Sequence, residues 1–76
     1  MAELLEFLAR KLVDRPDEVR VERVEEQDVV VLRLHVAEDD LGKVIGRQGR
    51  IARALRTIVR ASSVRERRRV QLEIVD

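Results

Sequence analysis

The stretch Leu41-Gly42-Lys43-Val44-Ile45-Gly46-Arg47-Gln48-Gly49-Arg50-Ile51 sets two glycines three positions apart between a short apolar step and an Arg-rich segment. Glycine accepts the φ > 0 backbone of a tight turn and carries no Cβ to hold a ligand off, so Gly46 and Gly49 let main-chain N–H groups come close to a phosphate. Arg47 and Gln48 at the tip add side-chain donors. A helix starting near Gly49 contributes its unpaired first-turn N–H groups and the positive end of its dipole. The pattern predicts a short helix through Lys43-Val44-Ile45, started by Asp39 or Asp40 as N-cap and ended by the glycine turn, with a longer helix directly after it.

Outward from this turn, the longer helix has Ile51, Leu55, Ile58, Val59 and Ser62 as its inward stripe, and Arg50, Arg53, Arg56 and Arg60 recur at spacings of three and four on another face. Upstream, Val29 to Val36 is rich in β-branched residues, with Val30, Leu32, Leu34 and Val36 on one face of a central strand. Glu25-Glu26-Gln27-Asp28 reads as a hairpin turn, preceded by a strand from Val19 in which Val24 breaks the alternation and marks a candidate bulge. Leu4, Leu5, Leu8, Leu12 and Val13 give the first helix, ended by Asp14-Arg15-Pro16-Asp17. Val70, Leu72 and Ile74 form a last strand. The fold class is α+β in the order α-β-β-α-α-β. Two helices join the central and last strands, so these run parallel in a three-stranded mixed sheet with all three helices on one face.

Length and charge sharpen the reading. A chain of 76 residues is expected to be one domain over 1–76, with a small core that self-association or a partner would help. With no cysteine there is neither a disulfide framework nor a thiolate metal site. No run approaches the ~20 apolar residues of a membrane span, so no membrane insertion is expected. The net charge of +1 hides a polarity. Residues 1–42 carry 12 acidic and 6 basic side chains, whereas residues 43–69 carry 10 basic and one acidic. A basic block centred on the glycine turn points to a local anion site rather than a uniformly basic surface.

Val44-Ile45-Gly46-Arg47-Gln48-Gly49, the element order and the length together resemble a KH domain of the type II arrangement. More closely, the whole chain resembles the small stand-alone bacterial KH proteins of the KhpA kind. The resemblance implies single-stranded RNA gripped by a GXXG loop, in the cytoplasm and without catalysis, in an RNA chaperone or post-transcriptional regulator. It also implies pairing as a homodimer or with a larger KH-containing protein linked to cell shape. Carried over residue by residue, it makes Gly46, Arg47, Gln48 and Gly49 the phosphate loop. Lys43, Val44 and Ile45 lie on the helix leading in, with Val44 or Ile45 as groove wall, and Arg50 and Arg53 become backbone contacts. Bases would sit between this edge and the central strand, with Arg65 to Arg69 flanking the groove. One departure stands out: KH domains usually have a large aliphatic residue three positions after the second glycine, where this chain has Ala52.

Other chemistries fit poorly. No G-x-x-x-x-G-K-[ST] or strand-bound G-x-G-x-x-G is present, so the nucleotide-binding fingerprints fail. The single histidine, His35, reads as an ordinary strand residue, because a metal site needs converging donors. No catalytic residue, metal or cofactor is expected. Phe7 is the only aromatic, which argues against modules that stack bases on aromatic platforms. Two alternatives remain at this stage. One is an adapter that mainly dimerises with another KH protein, and the other is a DNA-reading helix-turn-helix in which Arg50, Arg53 and Arg56 enter the major groove.

Overall fold

In the computed structural model, which describes residues 2–76, the expected α-β-β-α-α-β order is present. The elements are α1 (Ala2–Leu12), β1 (Arg20–Glu25), β2 (Val29–His35), α2 (Leu41–Ile45), α3 (Arg50–Ser62) and β3 (Arg69–Val75), with 3₁₀ turns at Pro16–Glu18, Glu38–Asp40 and Arg47–Gly49. The sheet order is β1-β2-β3, with β1 antiparallel and β3 parallel to the central β2. Val30, Leu32 and Leu34 of β2 are fully buried, and with Val70 and Leu72 of β3 they form the sheet's contribution to the core. Leu5 and Ala9 of α1, Val19 just before β1, Val44 of α2, and Leu55 and Val59 of α3 complete it.

Three sequence expectations change. The candidate bulge at Val24 is absent, because β1 pairs with β2 in an unbroken register from Arg20↔His35 to Glu25↔Val30. Val24 lies opposite Val31 on the sheet face away from the helices, where two apolar side chains meet across strands. In α1 the residues turned fully inward are Leu5 and Ala9, while Leu4 and Leu12 stay exposed, so the apolar pattern is two stripes and not one. In α3 the buried stripe is Ala52, Leu55 and Val59; Ile58 and Ser62 are exposed and Ile51 is only half buried. The helix is rotated so that a small residue, Ala52, meets the sheet side, which lets α3 lie close to β3.

Asp40 does not act as a side-chain N-cap for α2. Its carboxylate is buried and reaches across the chain, accepting hydrogen bonds from the backbone N–H groups of Asp14 (3.2 Å) and Arg15 (3.0 Å). Both donors belong to the segment just after α1, ended as Pro16 dictates. One buried carboxylate thereby ties the end of α1 to the start of α2, and so fixes the platform from which the glycine turn projects.

Candidate nucleic-acid interface

The glycine turn is built from left-handed backbone. Gly46 closes α2 at φ 75°, ψ 171°, its N–H bonded to Gly42 O at 2.9 Å. Gln48 (φ 57°) and Gly49 (φ 75°) follow in the left-handed region, and the Gly49 N–H returns to Gly46 O at 3.1 Å. Among the described residues, no loop bond of this kind engages the N–H groups of Arg47 or Gln48, whose side chains are exposed at the tip. The first turn of α3 has Gly49 as N-cap and no side-chain cap. The Gly49 N–H bonds Gly46 O and the Arg50 N–H bonds Arg47 O, so the loop runs straight into the first turn of α3.

Behind the loop, Arg53 Nη2 donates to the Gln48 carbonyl at 2.8 Å. That bond braces the one non-glycine residue held at positive φ. Arg53, expected as a phosphate contact, thus spends a guanidinium donor on the shape of the loop. Lys43 is also engaged: its ammonium lies 3.1 Å from an Asp14 carboxylate oxygen and 3.7 Å from one of Asp40. The hydrogen bond and the attraction to Asp14 hold its pKa above the ordinary lysine value. Val44 is completely buried in the core, so its side chain cannot form a groove wall. Ile45, 39% exposed, takes that place. Arg50 is exposed on the opposite edge of α3, beside Lys11 and Leu12 of α1.

A groove of about 510 Å³ starts at the loop and is lined by Ile45, Gly49, Ala52, Arg56, Gln71, Leu72, Glu73 and Ile74. Its far wall is β3, an edge strand, and not the central β2 anticipated from the sequence. The parallel crossover puts β3 nearest to α3, and β2 lies behind it. Ala52, Arg56, Gln71, Leu72, Glu73 and Ile74 are the groove residues that the sequence reading did not place in the RNA site. The signal for the first was present, since Ala52 is small where the resembled pattern has a large side chain. In the Arg65 to Arg69 segment, Arg68 is ion-paired to Glu25 (2.6 Å) and Glu66 (3.3 Å), and both Arg68 and Arg69 border the groove's extension.

A family model described as the KhpA/KhpB KH domain matches residues 2–74. The chain belongs to the KhpA/KhpB KH-domain family. Its fold is the type II KH arrangement, and its relatives named RNA-binding protein KhpA match it end to end. The Clostridium acetobutylicum protein is 52% identical across 99% of this chain and 100% of that protein. The Borreliella burgdorferi protein is 50% identical across 97% of this chain and 90% of its own length, and that of Bacillus subtilis 46% across 100% and 94%. A crystal structure of Aquifex aeolicus Era bound to GDP.AlF4- superposes with a TM-score of 0.65 at 20% identity, covering 96% of this chain and 28% of Era, a likeness of fold.

Among the described residues, no helix is long and apolar enough to cross a membrane. Among the described residues no cluster of three or more His, Cys, Asp or Glu side chains is placed to hold a metal ion.

Proposed function

We propose that this KH domain binds single-stranded RNA, with the Gly46–Gly49 loop clamping the sugar-phosphate backbone and the groove between Ile45, Ala52 and β3 receiving bases. The observation that carries this reading is the pair of left-handed glycines flanking two exposed, donor-rich residues at the uncapped start of α3. Phosphate contact positions the strand without reading sequence, so discrimination falls to the groove. Ile45, Leu72 and Ile74 give it apolar surface, Gln71 an adaptable donor and acceptor, and Arg56 a cation at the rim. Val44 serves by packing, and Lys43 and Arg53 by holding the loop's surroundings, with Arg47 and Gln48 as the direct contacts and Arg50 set on the α1 side of the helix. A duplex-reading helix is a poor fit, because Arg50 and Arg56 lie on different edges of α3.

Work in the cytoplasm as an RNA chaperone or post-transcriptional regulator, alone or with a KH partner, agrees with the relatives' printed name, RNA-binding protein. Self-association is favoured by a separate feature. Leu8, Leu12, Ile51, Ala54 and Ile58 line a shallow apolar crevice of about 340 Å³ between α1 and α3, and Phe7 and Leu4 of α1 are also exposed. Two-fold pairing would set each α1, with Glu3 and Glu6, against the Arg-bearing α3 of a second copy.

The deciding experiment is binding of short single-stranded RNA at several salt concentrations by the native chain and by Arg47→Asp/Gln48→Asp, both verified as folded. The double variant reverses charge at the tip and keeps both glycines. Loss of binding is expected; equal binding by both proteins would remove the loop from the RNA site. Competition with duplex DNA separates single-strand from duplex recognition.

A further inference from the structure

The arginines of this chain divide by whether they are neutralised. Arg10, Arg15, Arg23, Arg33 and Arg68 all pair with carboxylates. Arg56, Arg60 and Arg69 are among the several arginines with no ion-pair partner among the described residues, although carboxylates are nearly as numerous as basic groups. All three line one continuous depression. The groove at the loop shares Arg56, Gln71 and Leu72 with a hollow of about 200 Å³, which in turn shares Arg60, Val70 and Gln71 with one of about 380 Å³ reaching Arg69. This channel follows the whole length of α3 against β3, whose outer edge is not paired to another strand.

We infer that the far half of the α3–β3 channel is a second RNA-binding segment, in which Arg60 and Arg69, with Arg56 at the junction, take the phosphates of nucleotides beyond those clamped at the glycine loop. It rests on the loop reading for the strand's point of entry. The chemistry fits a single strand. Cations at the rim meet phosphates, Val70 and Leu72 at the floor offer apolar contact to bases, and the edge strand offers backbone donors and acceptors to their polar margins. Without aromatic platforms, affinity here must come from charge and length, so the footprint has to exceed the roughly four nucleotides of a GXXG clamp.

The test compares single-stranded RNAs of about four and about eight nucleotides, the shorter matching the GXXG footprint. Each phosphate neutralised on a single strand steepens the log–log salt slope by about 0.7, so the longer RNA is expected to bind more tightly with a slope steeper by roughly 2. In Arg60→Gln/Arg69→Gln the longer RNA should lose roughly 1.4 of that slope and the shorter should be unaffected. Equal slopes for both lengths in the native chain, or equal weakening of both by the double variant, would overturn the channel. An acidic peptide of matched charge displacing the longer RNA equally well would also overturn it, in favour of a protein ligand. The loop variant Arg47→Asp/Gln48→Asp is run alongside. If it binds both RNAs normally the loop reading fails, whereas a length-independent slope with a sensitive loop removes the channel alone.

Discussion

Gly46 is held to glycine by two independent constraints. Its φ of 75° with ψ of 171° lies in a region that side chains essentially do not occupy, and a Cβ built there would meet Ile51 Cγ1 at 2.7 Å and Ile51 N at 2.9 Å. Gly42, inside α2, has open space around the same position. The two substitutions should therefore move stability in opposite directions. Gly46→Ala is expected to destabilise by about 1–3 kcal/mol through strain at the turn, and Gly42→Ala to stabilise by about 0.5–1 kcal/mol through helix propensity. Urea unfolding of the two variants checks this, and a neutral Gly46→Ala would show that the loop can relax without its left-handed step. Both loop glycines were legible in the sequence, because spacing and flanking residues declare a local turn. The roles of Asp40 and Arg53 were not. Asp40 looks like an N-cap in sequence, yet its acceptors are used by Asp14 and Arg15, some 25 positions away. Arg53 looks like one more cation, yet it donates to the Gln48 carbonyl. Local pattern cannot report a bond whose partner is set by the meeting of two elements.

At the scale of elements, periodicity located the three α-helices and three strands and named Leu5, Leu55 and Val59, which are buried, but it drew the apolar stripes of α1 and α3 too wide. Leu4, Leu12 and Ile58 satisfy a helical period and still remain exposed, because only one of two apolar stripes can reach the sheet. The hairpin and the segment before β3 are joined by charge and not by packing. Arg23 reaches Glu66 (3.2 Å) and Glu25 (3.4 Å), and Arg68 reaches Glu25 and Glu66, which closes a four-membered ring of alternating sign. Hydrogen bonds from Arg68 and Arg23 hold the Glu25 carboxyl below its ordinary pKa, and Arg23, followed by Arg68, does the same for Glu66. A carboxyl with a lowered native pKa contributes stability above its unfolded value, about 4.3, and loses that contribution as pH falls through the native value. Thermal melts of the native chain and Glu25→Gln/Glu66→Gln should differ most near neutral pH and converge below the carboxylate range. High salt should narrow the gap, since the ring is largely exposed. A gap that persists unchanged at low pH would mean the glutamines act through packing instead. The same ring offsets the charge of Arg68, which lines the hollow beside Arg69, so the residues Arg65 to Arg69 do not act as one uniform basic patch.

Across the whole molecule, α3 separates two surfaces of different character. One edge, with Ala52, Arg56 and Arg60, borders the β3 channel; the other, with Ile51, Ala54 and Ile58, borders α1 and is apolar. A helix thirteen residues long can serve both only if its wheel is partitioned, and the sequence hid this by placing arginine at spacings compatible with several faces. The partition has a consequence for assembly. A chain of this size buries only roughly 60% of the surface its unfolded form exposes, and Phe7 at 56% exposure with Leu4, Leu12 and Ile58 adds to what is left uncovered. Pairing two copies through α1 and α3 would cover that strip and leave both glycine loops and both channels open, on the far sides of the α3 helices. Ile58→Asp places a charge in the middle of the strip at an already exposed position, where a folded monomer tolerates it but an apolar interface does not. Sedimentation velocity across a concentration series should show a native monomer–dimer equilibrium shifted to monomer in the variant, with unchanged circular dichroism. Because the loop lies on the other edge, each variant monomer should bind a four-nucleotide RNA as the native chain does. Loss of RNA binding together with loss of the dimer would instead place the RNA site across the two-fold axis, built from both copies.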